Sequence, residues 1–539
     1  MDSFIEEKKT RLNGLPPAAS DARQNTRSWP RVQRWLLAAC ILLSVICLSH
    51  LTLNNHANPS AQHSPRLRPC PLSPPTSNPL PANRKRLNAL LSEKFGGKPL
   101  TFALPTSART HRDDSDMENS GWRTSSNVMY ILGRFGISDA VVIVDRKDDT
   151  ELNVSMFLPE QTERQMIFEG GFADPAVLAR EFNVQRVGRI ADVPTFLGNR
   201  TVLTLWRDEL TATLGKEAEK VDMVESEELR EAFEEARFVK NEAELEHIAY
   251  AGRVAAWVHR EVEKEIRHGR HVNEITLASL FTHLSATCSS RLQAYPPIVG
   301  AGTHASVLHY RTGENETAGY NPITSHPKPT FVLIDAAGEY RGYASDLTRT
   351  YARHGRWSKE MKVVYGIVEN AQNEAWETYG EGVELEEVNR VAFRSLLTGL
   401  SKHGFFKPEF SVDELLEAGA LYVFMPHGLG HPVGLDVHDP TPSKYLNSRA
   451  STLTAPPAFV TLKSPQANYL IPRGHVMTIE PGIYFIPALW EVLKAQGEAG
   501  LGRFVEWEVV EGFRGVGGVR IEDVVMVDGE GRRRVVTRV

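Results

Sequence analysis

Apolar and polar positions follow several distinct periods along the chain, and the period changes at a few sharp points. The first unbroken apolar stretch, Trp35–Leu53, contains no acid, Lys or Arg. At about 1.5 Å per helical residue it is long enough to cross a bilayer core of roughly 30 Å. Arg23, Arg27, Arg31 and Arg34 precede it and no Lys or Arg follows until Arg66. The positive-inside rule therefore predicts a single transmembrane helix at 35–53, a cytosolic segment at 1–34 and a lumenal or extracellular remainder. Prolines at 59, 65, 69, 71, 74, 75, 79 and 81 predict an extended linker over 54–85. From 86 to 235, short apolar runs such as Ala140–Val144 and Val202–Leu205 alternate with charged helical stretches such as Asp174–Asn183, the pattern of a small α/β domain. Leu245, Ile248, Ala255, Val258, Val262 and Ile266 then share one face of a helix predicted over 241–267, with Gly269 placed to end it. It belongs to a second domain, 236–539, where strand-like runs (Phe331–Ile334, Val476–Ile479, Val519–Val527) are interleaved with helical ones (Lys359–Tyr379, Leu385–Leu400) in an α+β pattern.

Composition narrows the function. The 539 residues are 41% hydrophobic and 24% charged, an ordinary globular balance, and the net charge of -6 leaves no basic footprint for nucleic acid. Cys40 and Cys47 lie in the apolar segment, and the remaining Cys70 and Cys288 predict neither a disulfide framework nor a Cys-based zinc site. The sequons at Asn153, Asn199 and Asn315 are compatible with a lumenal body.

Four short stretches carry the candidate chemistry. In Phe331–Tyr351 an apolar strand ends at Asp335 and a Gly-flanked turn leads to Asp346. With the turn centred on Tyr340 and Arg341, the two acids are predicted to face each other across a hairpin at about 4.5–5.5 Å between Cβ atoms, a separation at which buried like charges require a cation. Phe424–Asp439 packs His427, His431 and His438 among Gly428, Gly430 and Gly434, which are expected to allow tight turns that bring the imidazoles together. Val476–Tyr484 and Gly517–Asp523 deliver Glu480 and Glu522 from apolar runs, where a carboxylate needs a partner or an ion; Arg520 is expected on the same face as Glu522. Four carboxylates and an imidazole suit hard or borderline divalent ions such as Mn²⁺, Co²⁺, Fe²⁺ or Zn²⁺. No H-E-x-x-H, G-x-S-x-G or G-x-x-x-x-G-K-[ST] motif occurs in the chain.

Together the stretches LIDAAGEY, ASDLTRTY, PHGLGH, TIEPG and VRIED resemble the proline-specific pita-bread metallopeptidases, the group of prolidase and aminopeptidase P. The resemblance implies a pita-bread catalytic domain behind the smaller α/β domain. It also implies two divalent metal ions, with Mn²⁺ the expected metal, and a hydroxide bridging them. By motif, Asp335 holds one ion, Asp346 and Glu522 bridge both, and His431 and Glu480 complete the second, with Glu480 also shuttling protons. His309 in SVLHY, His427 and His438 match histidines that contact substrate and stabilise the oxyanion, and Arg520 matches an arginine that helps place the substrate. The implied substrates are Xaa-Pro dipeptides or peptides with proline second, acted on by a homodimer. The run Ile483–Ala495 resembles the prolidase side and favours a dipeptidase over an aminopeptidase acting on longer peptides. Pro432 stands where the family usually has an aromatic residue. Retention of every ligand type weighs against a non-catalytic binding protein built on the same fold.

Overall fold

A computed structural model describes residues 69–539 except 113–116, 120, 269–271, 314–328, 447–452, 454–467 and 539. The expected membrane span at 35–53, the sequon at Asn315 and the helix-ending Gly269 lie outside the described residues. Among those described, no helix is long and apolar enough to cross a membrane.

The expected linker is partly built into the fold. Helix α1 (Leu80–Lys94) begins inside it, with Pro79 at the N-cap and Pro81 in the first turn, where a missing N–H is harmless. Further upstream, the Ser77 carbonyl faces His247 Nε2 at 3.1 Å. Cys70 forms a disulfide with Cys288, their Cα atoms 4.9 Å apart, across a sequence separation of 218. This corrects the expectation that Cys70 and Cys288 build no disulfide: no local spacing signals a pairing that only the folded chain creates.

The N-terminal domain is a six-stranded sheet of order β4-β3-β2-β1-β5-β6. Its strands are β1 (Leu100–Pro105), β2 (Val141–Arg146), β3 (Leu152–Leu158), β4 (Arg186–Arg189), β5 (Val202–Thr204) and β6 (Met223–Glu225). The central β1–β2–β3 ladder is antiparallel and the flanking pairs are parallel. Ala140–Val144 is apolar throughout because both faces of β2 are covered; all five residues are fully buried.

Helix α2 (Glu227–Phe238) leads into the second domain, followed by α3 (Glu242–His268). The six apolar positions read on α3 are all 2% exposed or less, as the helical period requires. Helix α4 (Glu274–Thr287) precedes β7 (Ile298–Ala301), which joins a three-stranded sheet with β8 (Phe331–Asp335) and β11 (Thr348–Ala352) in the order β11-β8-β7. The short pair β9 (Glu339–Tyr340) and β10 (Tyr343–Ala344) closes the hairpin between β8 and β11. Helices α5 (Lys359–Thr378) and α6 (Leu385–Lys402) pack on each other over Val364, Val368, Leu396 and Leu400, all fully buried.

The run predicted as one strand over Val519–Val527 is instead two, β14 (Gly518–Arg520) and β15 (Asp523–Val527). Its partner is broken likewise into β12 (Val476–Ile479) and β13 (Gly482–Tyr484). Ile479 pairs with Asp523 and Gly482 with Arg520, so the two breaks face each other and Glu480 and Glu522 both fall within them. A short β16 (Arg533–Val535) closes the sheet on β15.

The Cys70–Cys288 bridge closes a long loop, so replacing both residues with serine should lower stability by about 2–4 kcal/mol, read as a fall in the urea midpoint. An unchanged midpoint would show that the docked linker holds without it.

Candidate metal centre

The hairpin that carries the two aspartates turns at Arg341 and Gly342, both with positive φ (49° and 83°), rather than at Tyr340 and Arg341. Such a turn favours glycine at its second position, which fixes the centre one residue later than expected. Asp335 consequently pairs with Thr348, not Asp346. The register moves by two residues, a whole pleat period, so Asp346 remains on the same side as Asp335.

Asp346, His431 and Glu522 each offer a ligand atom, and these atoms lie within 4.8 Å of one another. His431 Nε2 is 3.5 Å from Asp346 Oδ2 and 3.4 Å from Glu480 Oε1. Its Nδ1 faces the Pro432 carbonyl at 3.2 Å, a contact that makes Nδ1 an N–H and leaves Nε2 facing the carboxylates, the nitrogen that would ligate an ion once its proton leaves. Thr478 Oγ1 accepts the His431 amide N–H at 3.0 Å and donates to Glu480 Oε1 at 3.2 Å, tying the imidazole and the glutamate to one residue of β12. Asp335 completes the set, with Arg520 Nη2 on its Oδ2 at 2.5 Å. The Tyr295 hydroxyl gives its proton to Asp346 Oδ1 at 2.5 Å, which leaves the buried Asp335 Oδ1 without a donor. Asp346, His431 and Glu522 thus form one candidate ligand group, with Glu480 next to His431 and Asp335 close enough for the Asp346 charge to act on it.

The electrostatics fit a cation. Burial, then repulsion from Asp346, Glu480 and Asp335, pushes Glu522 well above the ordinary carboxylate range. Burial likewise raises Asp335, and lifts Glu480 to about 7. Burial opposes the charge on His431, but the Asp346 hydrogen bond and the Glu480 and Asp346 charges raise it to about 9. Carboxylates held at this separation keep protons unless divalent charge replaces them, and an orphaned carboxylate oxygen on Asp335 together with an imidazole nitrogen facing Asp346 and Glu480 is a donor set suited to such ions.

The surrounding residues divide into wall and mouth. Arg520, 4% exposed, donates to Thr348 Oγ1 at 3.0 Å and Tyr484 Oη at 2.9 Å besides Asp335. Thr348 in turn donates to Glu522 Oε2 at 2.5 Å. His427 has Nδ1 on the Gly428 carbonyl at 2.7 Å and Nε2 on the Tyr484 hydroxyl at 3.0 Å, and burial depresses it to about 3, so it is neutral. Arg520 and His427, both expected to meet substrate, are held in the unliganded protein by hydrogen bonds to Thr348, Tyr484, Asp335 and the Gly428 carbonyl. His309 and His438 are exposed. The His438 ring lies 4.1 Å from that of His431, and burial followed by the His431 charge lowers it to about 4.

Sequence reasoning missed Tyr295, Thr348 and Tyr484. Thr348 and Tyr484 stand inside quoted motifs, whereas Tyr295 lies in a loop with no local signal. The three glycines among the histidines also act differently from the expectation, for none has positive φ. A Cβ on Gly430 would stand 2.0 Å from the Thr478 carbonyl oxygen and one on Gly434 2.4 Å from Asp439 Oδ2, so these two permit close approach; Gly428 is open on all sides.

Fold and cage together define a metallo-exopeptidase with the pita-bread fold. The model of metallopeptidase family M24 matches residues 246–529, and the chain belongs to that family. It is 29% identical over 476 residues to a probable Xaa-Pro aminopeptidase pepP of Aspergillus clavatus, covering 85% of this chain and 95% of the relative. A protein of the same description from Talaromyces marneffei is 30% identical over 391 residues, 71% of this chain and 79% of that one. Zn-substituted E. coli aminopeptidase P in complex with product shares the fold with TM-score 0.67 at 24% identity, over 86% of this chain and 96% of that one. Proline aminopeptidase P II from Yersinia pestis does so with TM-score 0.63 at 23% identity, over 84% and 94%.

Because protons on Glu480 and His431 must leave as a cation enters, apparent affinity for Mn²⁺ should fall as pH drops from 8 to 6 in a competition titration. At a hundredfold excess over its dissociation constant the ion should stabilise chelator-treated protein by about 2.7 kcal/mol, a thermal shift that Asp346→Asn should abolish.

Proposed function

We propose that this protein is a dinuclear metallo-aminopeptidase that removes the N-terminal residue of peptides whose second residue is proline. The observation that carries the reading is that ligand atoms of Asp346, His431 and Glu522 lie within 4.8 Å of one another, with Glu480 3.4 Å from His431 and Asp335 within reach of the Asp346 charge. The relatives favour an aminopeptidase over the dipeptidase suggested by Ile483–Ala495, since they are described as Xaa-Pro aminopeptidases and one is matched over 95% of its length. Asp335, Asp346, His431, Glu480 and Glu522 are the residues that would hold the two ions, and Mn²⁺ is the proposed metal. Bound there, the ions supply Lewis acidity and an activated water near neutral pH.

The chain's own residues do the rest. Glu480, at the edge of the candidate ligand group, is the carboxylate placed to take a proton from the attacking water and return one to the proline nitrogen. That return matters because an Xaa-Pro bond is a tertiary amide and its nitrogen leaves as a secondary amine. Tyr295, Thr348 and Arg520 hold Asp346, Glu522 and Asp335 in fixed directions. His309 and His438, exposed beside the cage, are the groups free to donate to a substrate carbonyl as charge develops on it.

The Mn²⁺-loaded protein should cleave Xaa-Pro-Xaa tripeptides with kcat/KM at least about tenfold above Xaa-Pro dipeptides, a margin of roughly 1.4 kcal/mol. Preference for dipeptides would restore the dipeptidase reading, and no hydrolysis of either would overturn both. Glu480→Ala should lower kcat by at least about 100-fold.

We further propose that Trp35–Leu53 anchors the body on the lumenal or extracellular side. A disulfide between Cys70 and Cys288 supports this, since such bonds persist in oxidising compartments. Protease added to intact microsomes should leave the body undigested; its digestion without detergent would refute the orientation.

A further inference from the structure

The loop after β7 carries His309 to the mouth of the cage, and one buried carboxylate holds that loop from beneath. Glu274, the first residue of α4, is 2% exposed. Its Oε1 accepts the Ala301 amide N–H at 2.8 Å and lies 2.8 Å from His304 Nδ1, while its Oε2 accepts the Tyr310 hydroxyl at 2.8 Å. The His304 and Tyr310 rings stack at 4.6 Å with 22° between planes. Thr312 closes the loop, accepting the Val299 amide N–H at 2.8 Å.

The other side of the same loop lies on the strand that carries Arg520. A Cβ on Gly517 would stand 1.9 Å from the Gly302 carbonyl oxygen, and one on Gly518 2.3 Å from that of Ala305. Residues 302–305 are therefore stacked backbone to backbone on β14. What remains for a side chain to fix is the outer half, 304–310, and Glu274 grips it at both ends, with His309 between. A buried carboxylate deprived of such donors is strongly disfavoured, so the loop conformation that satisfies all three is selected. Glu274 donates nothing to the cage and touches none of its five ligands.

We propose that Glu274 is a positioning residue for the hydrolysis of Xaa-Pro bonds, holding the 301–310 loop so that the His309 imidazole faces substrate at the metal cage. The inference rests on the peptidase reading, in which His309 contacts substrate.

The test uses the full-length Mn²⁺-loaded protein, its Glu274→Ala, Glu274→Gln and His309→Ala variants, and the Glu274→Ala/His309→Ala double variant. Each is assayed on an Xaa-Pro-Xaa tripeptide, with metal content and amide hydrogen exchange over 299–312 measured alongside. Glu274→Ala should speed exchange in this loop at least about tenfold at unchanged metal content. It should lower kcat/KM by about 10- to 100-fold in the wild-type background and by less than about twofold once His309 is absent, the signature of two residues acting as a unit. Glu274→Gln, which keeps one acceptor oxygen, should recover part of the loss and remains informative where the alanine variant fails to fold. Losses that simply multiply in the double variant, unchanged exchange, or a fall in activity that tracks lost metal would each overturn the proposal. An inactive wild-type protein would overturn the peptidase reading and with it the catalytic half of the inference, whereas the exchange result would still decide whether Glu274 clamps the loop.

Discussion

Mutual repulsion among four clustered carboxylates is the constraint around which the catalytic domain is arranged. Asp346 and Glu522 are buried and Asp335 and Glu480 largely so, and the protein answers with one imidazole, one guanidinium and a few hydroxyls rather than with a counter-charge for each. Arg520 illustrates the economy. It is buried, it donates to Asp335 directly, and its hydrogen-bond link to Glu522 runs through Thr348. A cation in the centre removes the repulsion and leaves the same hydrogen bonds to aim the oxygens, so the network sets direction while the ion sets charge.

The sheet is shaped to the same end. An uninterrupted ladder would alternate Glu522 and Glu480 with their neighbours across a pleat. Instead β12–β15 and β13–β14 stop and restart around the glutamates, with Ile521 N–H reaching the Pro481 carbonyl and Glu522 N–H the Thr348 carbonyl. The broken stretch frees both side chains to turn inward while backbone groups stay paired. Gly430 lets the histidine strand lie directly against Thr478.

The smaller domain contributes to the site through a buried set of charges. Arg123 donates to Glu339 at 2.8 Å and to the Gly342 carbonyl at 3.1 Å, beneath the hairpin that carries the aspartates. Arg237, at the end of α2, meets Asp436 and Asp439 at 2.6 Å each, and Lys240 meets Asp439 at 3.1 Å. Asp439 also accepts the Asp436 amide N–H and follows His438 in the chain, so the loop that runs from His431 to His438 is held by residues of the inter-domain connection. Loss of one partner there would strand a buried charge, which makes the domain arrangement and the mouth geometry one mechanical unit.

Local pattern was enough for the long helices, the apolar strands and the α/β-then-α+β order, because each is written in a period of a few neighbouring residues, and the quoted motifs were enough to single out Asp346, His431 and Glu522, which the fold brings together. The helical stripe from Leu245 to Ile266 and the runs Phe331–Ile334 and Val476–Ile479 are cases of this kind. What depended on distant residues was not legible. The hairpin turn sits at Gly342, under Met129 of the other domain, and not one residue earlier. His427 and Arg520 are drawn into the wall by Tyr484, and Tyr295 arrives at Asp346 from a featureless loop. Cys70 finds Cys288 across 218 residues. The sequence alone determined which residue types would be charged, apolar or metal-seeking; the tertiary structure decided which of them meet, because hydrogen-bond partners and desolvation exist only once the chain has brought its far parts together.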